Sequence, residues 1–133
     1  PTPVNLNLGL ILGYLLAPVA WVIGIEWNDA VVAGGLIGQK VVLNEFIAYL
    51  QLSQTAVGDA PGAISEHSRL VLTYALCGFA NFSSIAIQIG GIGSLVPERR
   101  SDLARFGLRA VLGGSIATLM TATIAGVLLH FGV

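Results

Sequence analysis

Charge is scarce in this chain: its 133 residues include six Lys or Arg and seven Asp or Glu, 10% of the total, where soluble domains carry about 25%. The net charge of −1 leaves no basic surface of the kind that holds phosphates, which excludes DNA and RNA as partners. Cysteine is equally sparse. Cys77 alone excludes an internal disulfide and any multi-cysteine zinc or iron–sulfur site, and His67 and His130 are too far apart in sequence to read as a ligand pair. No metal site is expected. Nor can a nucleophile, a base and an oxyanion donor be assembled from these residues, which argues against an enzyme. What the chain has in abundance is apolar surface: 55% of its residues are hydrophobic and the mean hydropathy is +0.84. That is a membrane composition, and at roughly 20 residues per crossing the length supplies two or three spans. The chain opens Pro1-Thr2-Pro3, and its first apolar run lacks a basic leader and a cleavage site, so a segment of a longer protein is expected.

The charged residues punctuate four apolar blocks: residues 8–25, 30–57, 70–96 and 110–129. The first is uncharged but holds Gly13, Pro18 and Gly24. It reads either as a short span or as a kinked helix along the membrane interface with Trp21 and Trp27 at its margin, and the interfacial reading is preferred. The second carries Lys40, Asn44 and Glu45 near its middle, and a charge at bilayer depth costs a few kcal/mol even on lenient scales, roughly 2.5–3.5 for Lys or Asp. A lipid-facing span is therefore excluded. Two short helices that dip in and turn back near Asn44-Glu45 would put the polar tip against protein or water, which predicts a re-entrant hairpin. Lys40 and Glu45 are five apart, so they do not neutralise each other as an i,i+4 pair, and the tip needs partners from elsewhere.

The third block is uncharged, but its centre reads Cys77-Gly78-Phe79-Ala80-Asn81-Phe82-Ser83-Ser84. Glycine weakens the helix there, and Asn and Ser side chains can satisfy the freed backbone groups, the signature of a discontinuous transmembrane helix. Gly90, Gly91 and Gly93 lack the strand and the Lys of a phosphate loop and are read as close packing. The fourth block follows the amphipathic stretch from Leu103 to Arg109. Gly113, Gly114, Ser115, Ala117, Thr118, Ala122 and Gly126 line it with small residues, which predicts a crossing packed more on helices than on lipid. Arg99, Arg100, Arg105 and Arg109 lie between blocks three and four, so the positive-inside rule puts that loop in the cytoplasm. The preceding loop, with Asp59 and Glu66 against Arg69, then lies outside. The hairpin enters from the outside, and the C-terminus ends there.

Among the polar residues, Glu45 is the strongest functional candidate: a carboxylate at an intramembrane tip can accept hydrogen bonds from substrate hydroxyls or take up a proton. The competing reading is a structural acid paired with a basic group. Asn81 and Ser84 are three apart and share a helix face, either toward one ligand or in interhelical hydrogen bonds. Lys40 reads as structural, by snorkelling or internal pairing, and Cys77 as a small packing residue.

Taken together, Gly38-Gln39-Lys40, Asn44-Glu45-Phe46, Tyr74 through Ile85 with Cys-Gly-Phe-Ala-Asn at its centre, Gly90-Gly91-Ile92-Gly93 and Pro97-Glu98-Arg99-Arg100 closely resemble the C-terminal part of the concentrative nucleoside transporters. The resemblance covers essentially the whole chain. It implies an all-α fold: a polytopic membrane segment with a re-entrant helical hairpin and a discontinuous transmembrane helix, one half of an inverted repeat. Residues 8–25 would be an outer interfacial helix, 30–57 the hairpin, 70–96 the broken helix and 101–131 the last crossing of a transport domain. It further implies a sodium- or proton-driven nucleoside symporter, a homotrimer with elevator movement in a bilayer, with Glu45, Asn81 and Ser84 on the ribose and Phe79 packed near the nucleoside. No cofactor is implied. The coupling ion's site, and the residues that read the nucleobase, belong to an N-terminal half of the same transporter that this chain lacks, so the segment alone is not expected to transport. Its compact loops suggest a bacterial inner membrane. The rival reading is a non-transporting membrane structural module or channel subunit whose polar residues serve helix packing.

Overall fold

The computed structural model describes residues 7–58 and 62–132; Pro1-Thr2-Pro3 and Asp59 lie outside the described residues. Among these the chain is helical, without a strand beyond an isolated bridge between Val57 and Ile64. Helix α1 runs over Leu8–Val22, α2 over Ala30–Val42, α3 over Glu45–Gln54, α4 over Glu66–Leu76 and α5 over Phe82–Leu95; a 3-10 turn at Pro97–Arg99 leads into α6, Arg100–His130.

Helix length separates their roles. At 31 residues, α6 is about 46 Å long, and with its leading turn it is the one helix among the described residues long and apolar enough to cross a membrane. The 15 residues of α1 reach about 22 Å and the 13 of α2 about 20 Å, short of a hydrocarbon core of about 30 Å. Trp21 and Trp27, both exposed, meet edge to face with ring centroids 6.2 Å apart at the C-terminal end of α1.

Four helices begin with a side-chain cap. Asn7 accepts from the Leu10 amide (2.8 Å), Asn44 from Ile47 (3.0 Å), Ser65 from Ser68 (3.1 Å) and Asn81 from Ser84 (2.8 Å). Each bond satisfies an amide that a helix start leaves unpaired. Asp29 does not cap α2; its carboxylate accepts from the Ser65 amide at 3.0 Å and ties the start of α2 to the start of α4.

The core centres on the seam of α1 and α2 and on the α4 face that meets them, with Ala20, Ala33, Val71, Leu72 and Leu76 fully enclosed. Gly34 sets how closely the seam closes: a Cβ there would stand 2.6 Å from the Gly13 carbonyl oxygen and 2.8 Å from the Ala17 nitrogen, backbone that cannot yield. Small residues let helices approach in this way where dispersion, not water exclusion, holds them together.

Along α6, Gly107, Val111, Gly114, Thr118, Ala122 and Gly126 recur every three or four residues, so they form one stripe. Gly107 meets Ile85, Gly114 meets Ala80 and Gly126 meets Val71, and α6 thereby backs both α4 and α5. Within this chain the stripe is the part of α6 that packs on other helices. Gly113 has open space around it, and only 17% of the apolar window is buried within the chain. Within this chain Gly90 and Gly91 also face open space, whereas Gly93 packs closely on the Arg100 side chain.

Candidate functional site

Two interruptions bring the polar residues together. Between α2 and α3, Leu43 (φ −99°, ψ −93°) and the extended Asn44 break the helix and turn it back, so that α2 and α3 pack on each other. Between α4 and α5 the break takes residues 77–81. Gly78 sits there at φ +151°, a conformation side chains resist, and its missing Cβ would fall 2.9 Å from Thr118 Oγ1.

The breaks meet. Asn81 Nδ2 donates to Glu45 Oε2 at 3.0 Å, joining residues 36 apart in sequence. Asn81 is 2% exposed and Glu45 half-buried. The Ser83 hydroxyl donates to the Leu43 carbonyl at 2.9 Å, satisfying an acceptor that the end of α2 leaves free. Tyr49 on α3 donates to the Thr73 carbonyl of α4 at 2.6 Å.

Of the four residues singled out in the sequence, Glu45 and Asn81 are in direct contact and Ser84 adjoins Asn81. Asn81 Oδ1 is committed, accepting from the Ser84 amide and standing 2.9 Å from the Ser84 hydroxyl. That hydroxyl also reaches the Phe79 carbonyl, and with a single proton it donates to one of them at a time. Asn81 and Ser84 thus present a shared face only in part: the Asn81 carbonyl is turned to the helix start, leaving an amide proton, and Ser84 keeps acceptor lone pairs. Glu45 retains the most unused capacity, since a carboxylate has about four acceptor positions and one is occupied. Phe79 is 77% exposed. With Ser84, Gly107 and Thr118 it lines a cavity of about 320 Å³ between α5 and α6, of which Glu45 is not a lining residue. A carboxylate flanked by an amide and a hydroxyl suits a donor bearing adjacent hydroxyls, because hydrogen bonds to a charged acceptor are roughly twice as strong as neutral ones.

Sequence reasoning missed Ser83, whose only signal was its place between Asn81 and Ser84. It also placed Cys77 in packing, whereas Cys77 is exposed where α4 ends. His67 and His130, too distant in sequence to pair, line one cavity of about 320 Å³ where α1 and α6 end and α4 begins; His67 Nε2 lies 3.2 Å from the Gly24 carbonyl. No cluster of three or more metal-ligating side chains occurs among the described residues.

Short helices that stop at Asn-capped breaks, backed by one long apolar helix, are the arrangement expected of a membrane transporter with interrupted helices. Residues 2–126 match the family described as "Na+ dependent nucleoside transporter C-terminus", and the chain belongs to that family. It is similar to the nucleoside permease NupC of Helicobacter pylori, 50% identical over 122 residues, covering 92% of this chain and 29% of that protein. It is also similar to the sodium/nucleoside cotransporter 1 of Rattus norvegicus, 46% identical over 134 residues, 93% of this chain and 21% of that one. Among solved structures, CNTnw in an inward-facing substrate-bound state aligns with TM-score 0.84 and 49% identity over 91% of this chain and 29% of the other. The chain therefore spans about three-tenths of the length of the H. pylori relative. These relatives are named as permeases and cotransporters, and the family is one of integral, multi-pass membrane transporters, not of enzymes.

Proposed function

We propose that this chain supplies the ribose-binding half of the substrate site in a cation-coupled nucleoside symporter. Glu45 accepts hydrogen bonds from the sugar hydroxyls, Asn81 and Ser84 contribute an amide donor and a hydroxyl beside it, and Phe79 packs near the nucleoside. The single observation that carries the reading is the 3.0 Å bond between Asn81 Nδ2 and Glu45 Oε2, which holds a half-buried carboxylate with free acceptor positions where two helix breaks converge. Of the two coupling ions, sodium is supported over the proton by the names of the mammalian relatives. The ion's site belongs to the N-terminal part of the transporter, which also reads the nucleobase. The α2–α3 pair acts as a re-entrant hairpin entered from outside, α4–α5 as the broken helix and α6 as the last crossing. The assembly is a homotrimer working by elevator movement in a bacterial inner membrane.

The test is equilibrium binding of radiolabelled uridine and adenosine to the full-length transporter in nanodiscs, with and without sodium, beside its Glu45→Gln variant. Saturable binding that the variant loses while still assembling is the expected result, and dependence on sodium names the ion. Equal binding by both proteins, or a variant that fails to assemble, would favour a structural module in which these polar groups only join helices. Ion conductance without saturable uptake would identify a channel subunit.

A further inference from the structure

Across the four apolar blocks, Lys40 and Glu45 are the only Asp, Glu, Lys or Arg residues. They flank the first break from opposite sides, Lys40 in the last turn of α2 and Glu45 in the first turn of α3. Each stands where the helix dipole favours its sign, but a dipole does not account for the depth of Lys40. It is 2% exposed and the bulkiest fully buried side chain among the described residues. It makes no ion pair at contact distance; among the described residues that distinction belongs to Arg99 and Asp102 on the surface. On a continuous helix a spacing of five would hold Lys40 and Glu45 apart, but the chain reverses between them at Leu43 and Asn44, and α3 folds back on α2. The second break and the first turn of α5 bring neutral groups to this junction: Asn81 donates to Glu45 and Ser83 to the Leu43 carbonyl.

A buried cation without a counter-charge is far more costly than a helix end can offset, and Glu45 is the one carboxylate in the apolar blocks of this chain. Resting on the ribose reading above, we infer that Lys40 is the counter-charge of Glu45, a positioning residue that keeps this carboxylate an acceptor for sugar hydroxyls. With one positive and one negative group, the tip carries no net charge of its own.

The inference is tested on the full-length transporter in nanodiscs by comparing uridine with 2′,3′-dideoxyuridine, which lacks the hydroxyls, in competition binding. In Lys40→Met, uridine affinity is expected to fall about 10-fold, the equivalent of about 1.4 kcal/mol, with dideoxyuridine changed less than about twofold. Lys40→Arg should restore discrimination. In a Glu45→Gln background, Lys40→Met should add no further loss, since the group it serves is already gone. If Lys40→Met assembles poorly, the double variant should assemble, because no lone charge is left buried. Equal losses for both ligands, additive losses in the double variant, or failure of the double variant to assemble would overturn the role of Lys40. Full uridine affinity in Glu45→Gln alone would instead overturn the ribose reading, and this inference with it.

Discussion

The two helix breaks share a cap and differ in nearly everything else. Asn44 and Asn81 each accept from the amide three residues on, but the first break takes two residues and folds α3 back on α2, while the second takes five and leaves α4 and α5 scarcely touching, both backed by α6. The residue after the cap is the charged Glu45 in one and the apolar Phe82 in the other. Satisfaction runs in one direction. The second break closes on itself through Ser84, Asn81 and the Phe79 carbonyl and donates outward, from Asn81 to Glu45 and from Ser83 to Leu43. The first break is a tight reversal that cannot complete its own hydrogen bonding, so it depends on the second. Damage to the second break should therefore reach both, and damage to the first should stay local.

The largest effect is expected from Asn81→Ala, which removes a helix cap and the donor to Glu45 together. A cap is worth about 1 kcal/mol and a hydrogen bond to a charged group about 2 kcal/mol, so thermal unfolding of the full-length protein in detergent should register a loss of about 3 kcal/mol, accompanied by loss of nucleoside binding. Gly78→Ala comes next at about 2 kcal/mol, combining a strained φ with overpacking against Thr118. Adding Thr118→Ala should recover the packing share and leave the backbone share, a split read from the unfolding temperatures of the two proteins. Asn44→Ala should cost about 1 kcal/mol, the worth of a cap alone, with nucleoside affinity nearly unchanged; if binding falls as far as in Asn81→Ala, the asymmetry between the breaks is broken. The smallest effect is expected from Ser83→Ala, about 0.5–1 kcal/mol for one neutral hydrogen bond. Hydrogen exchange should localise its effect to the last turn of α2, because the Leu43 carbonyl sits there.

Much of this arrangement is legible along the chain. The polar pair Asn44-Glu45 inside an apolar block marks the reversal, and the stretch from Cys77 to Ser84 marks the second break, because helix interruption follows from local residue chemistry: glycine, a capping Asn, a hydroxyl. The site is legible only in its membership. Glu45, Asn81 and Ser84 stand out as polar groups in apolar surroundings, yet their spacing suggests a common ligand-facing side, whereas Asn81 spends its carbonyl on the start of α5. Cys77, Gly90 and Gly91 are harder to place for a related reason. Small residues are compatible with close packing but do not say which side of a helix has a neighbour, and α6 lies along the other side of α5.

Sequence by itself determined where the apolar helices are interrupted, that residues 110–129 form a plain crossing, and that one carboxylate and one ammonium are the only charges in the apolar blocks; these depend on hydropathy and on cap chemistry acting within a turn or two. Tertiary structure alone decided that Asn81 serves Glu45, that Ser83 completes the end of α2, and that Gly34 sets the closeness of α1 and α2. Those partners lie 36, 40 and about 20 residues apart, and contacts at such separations arise from how helices pack against one another, which no local pattern encodes.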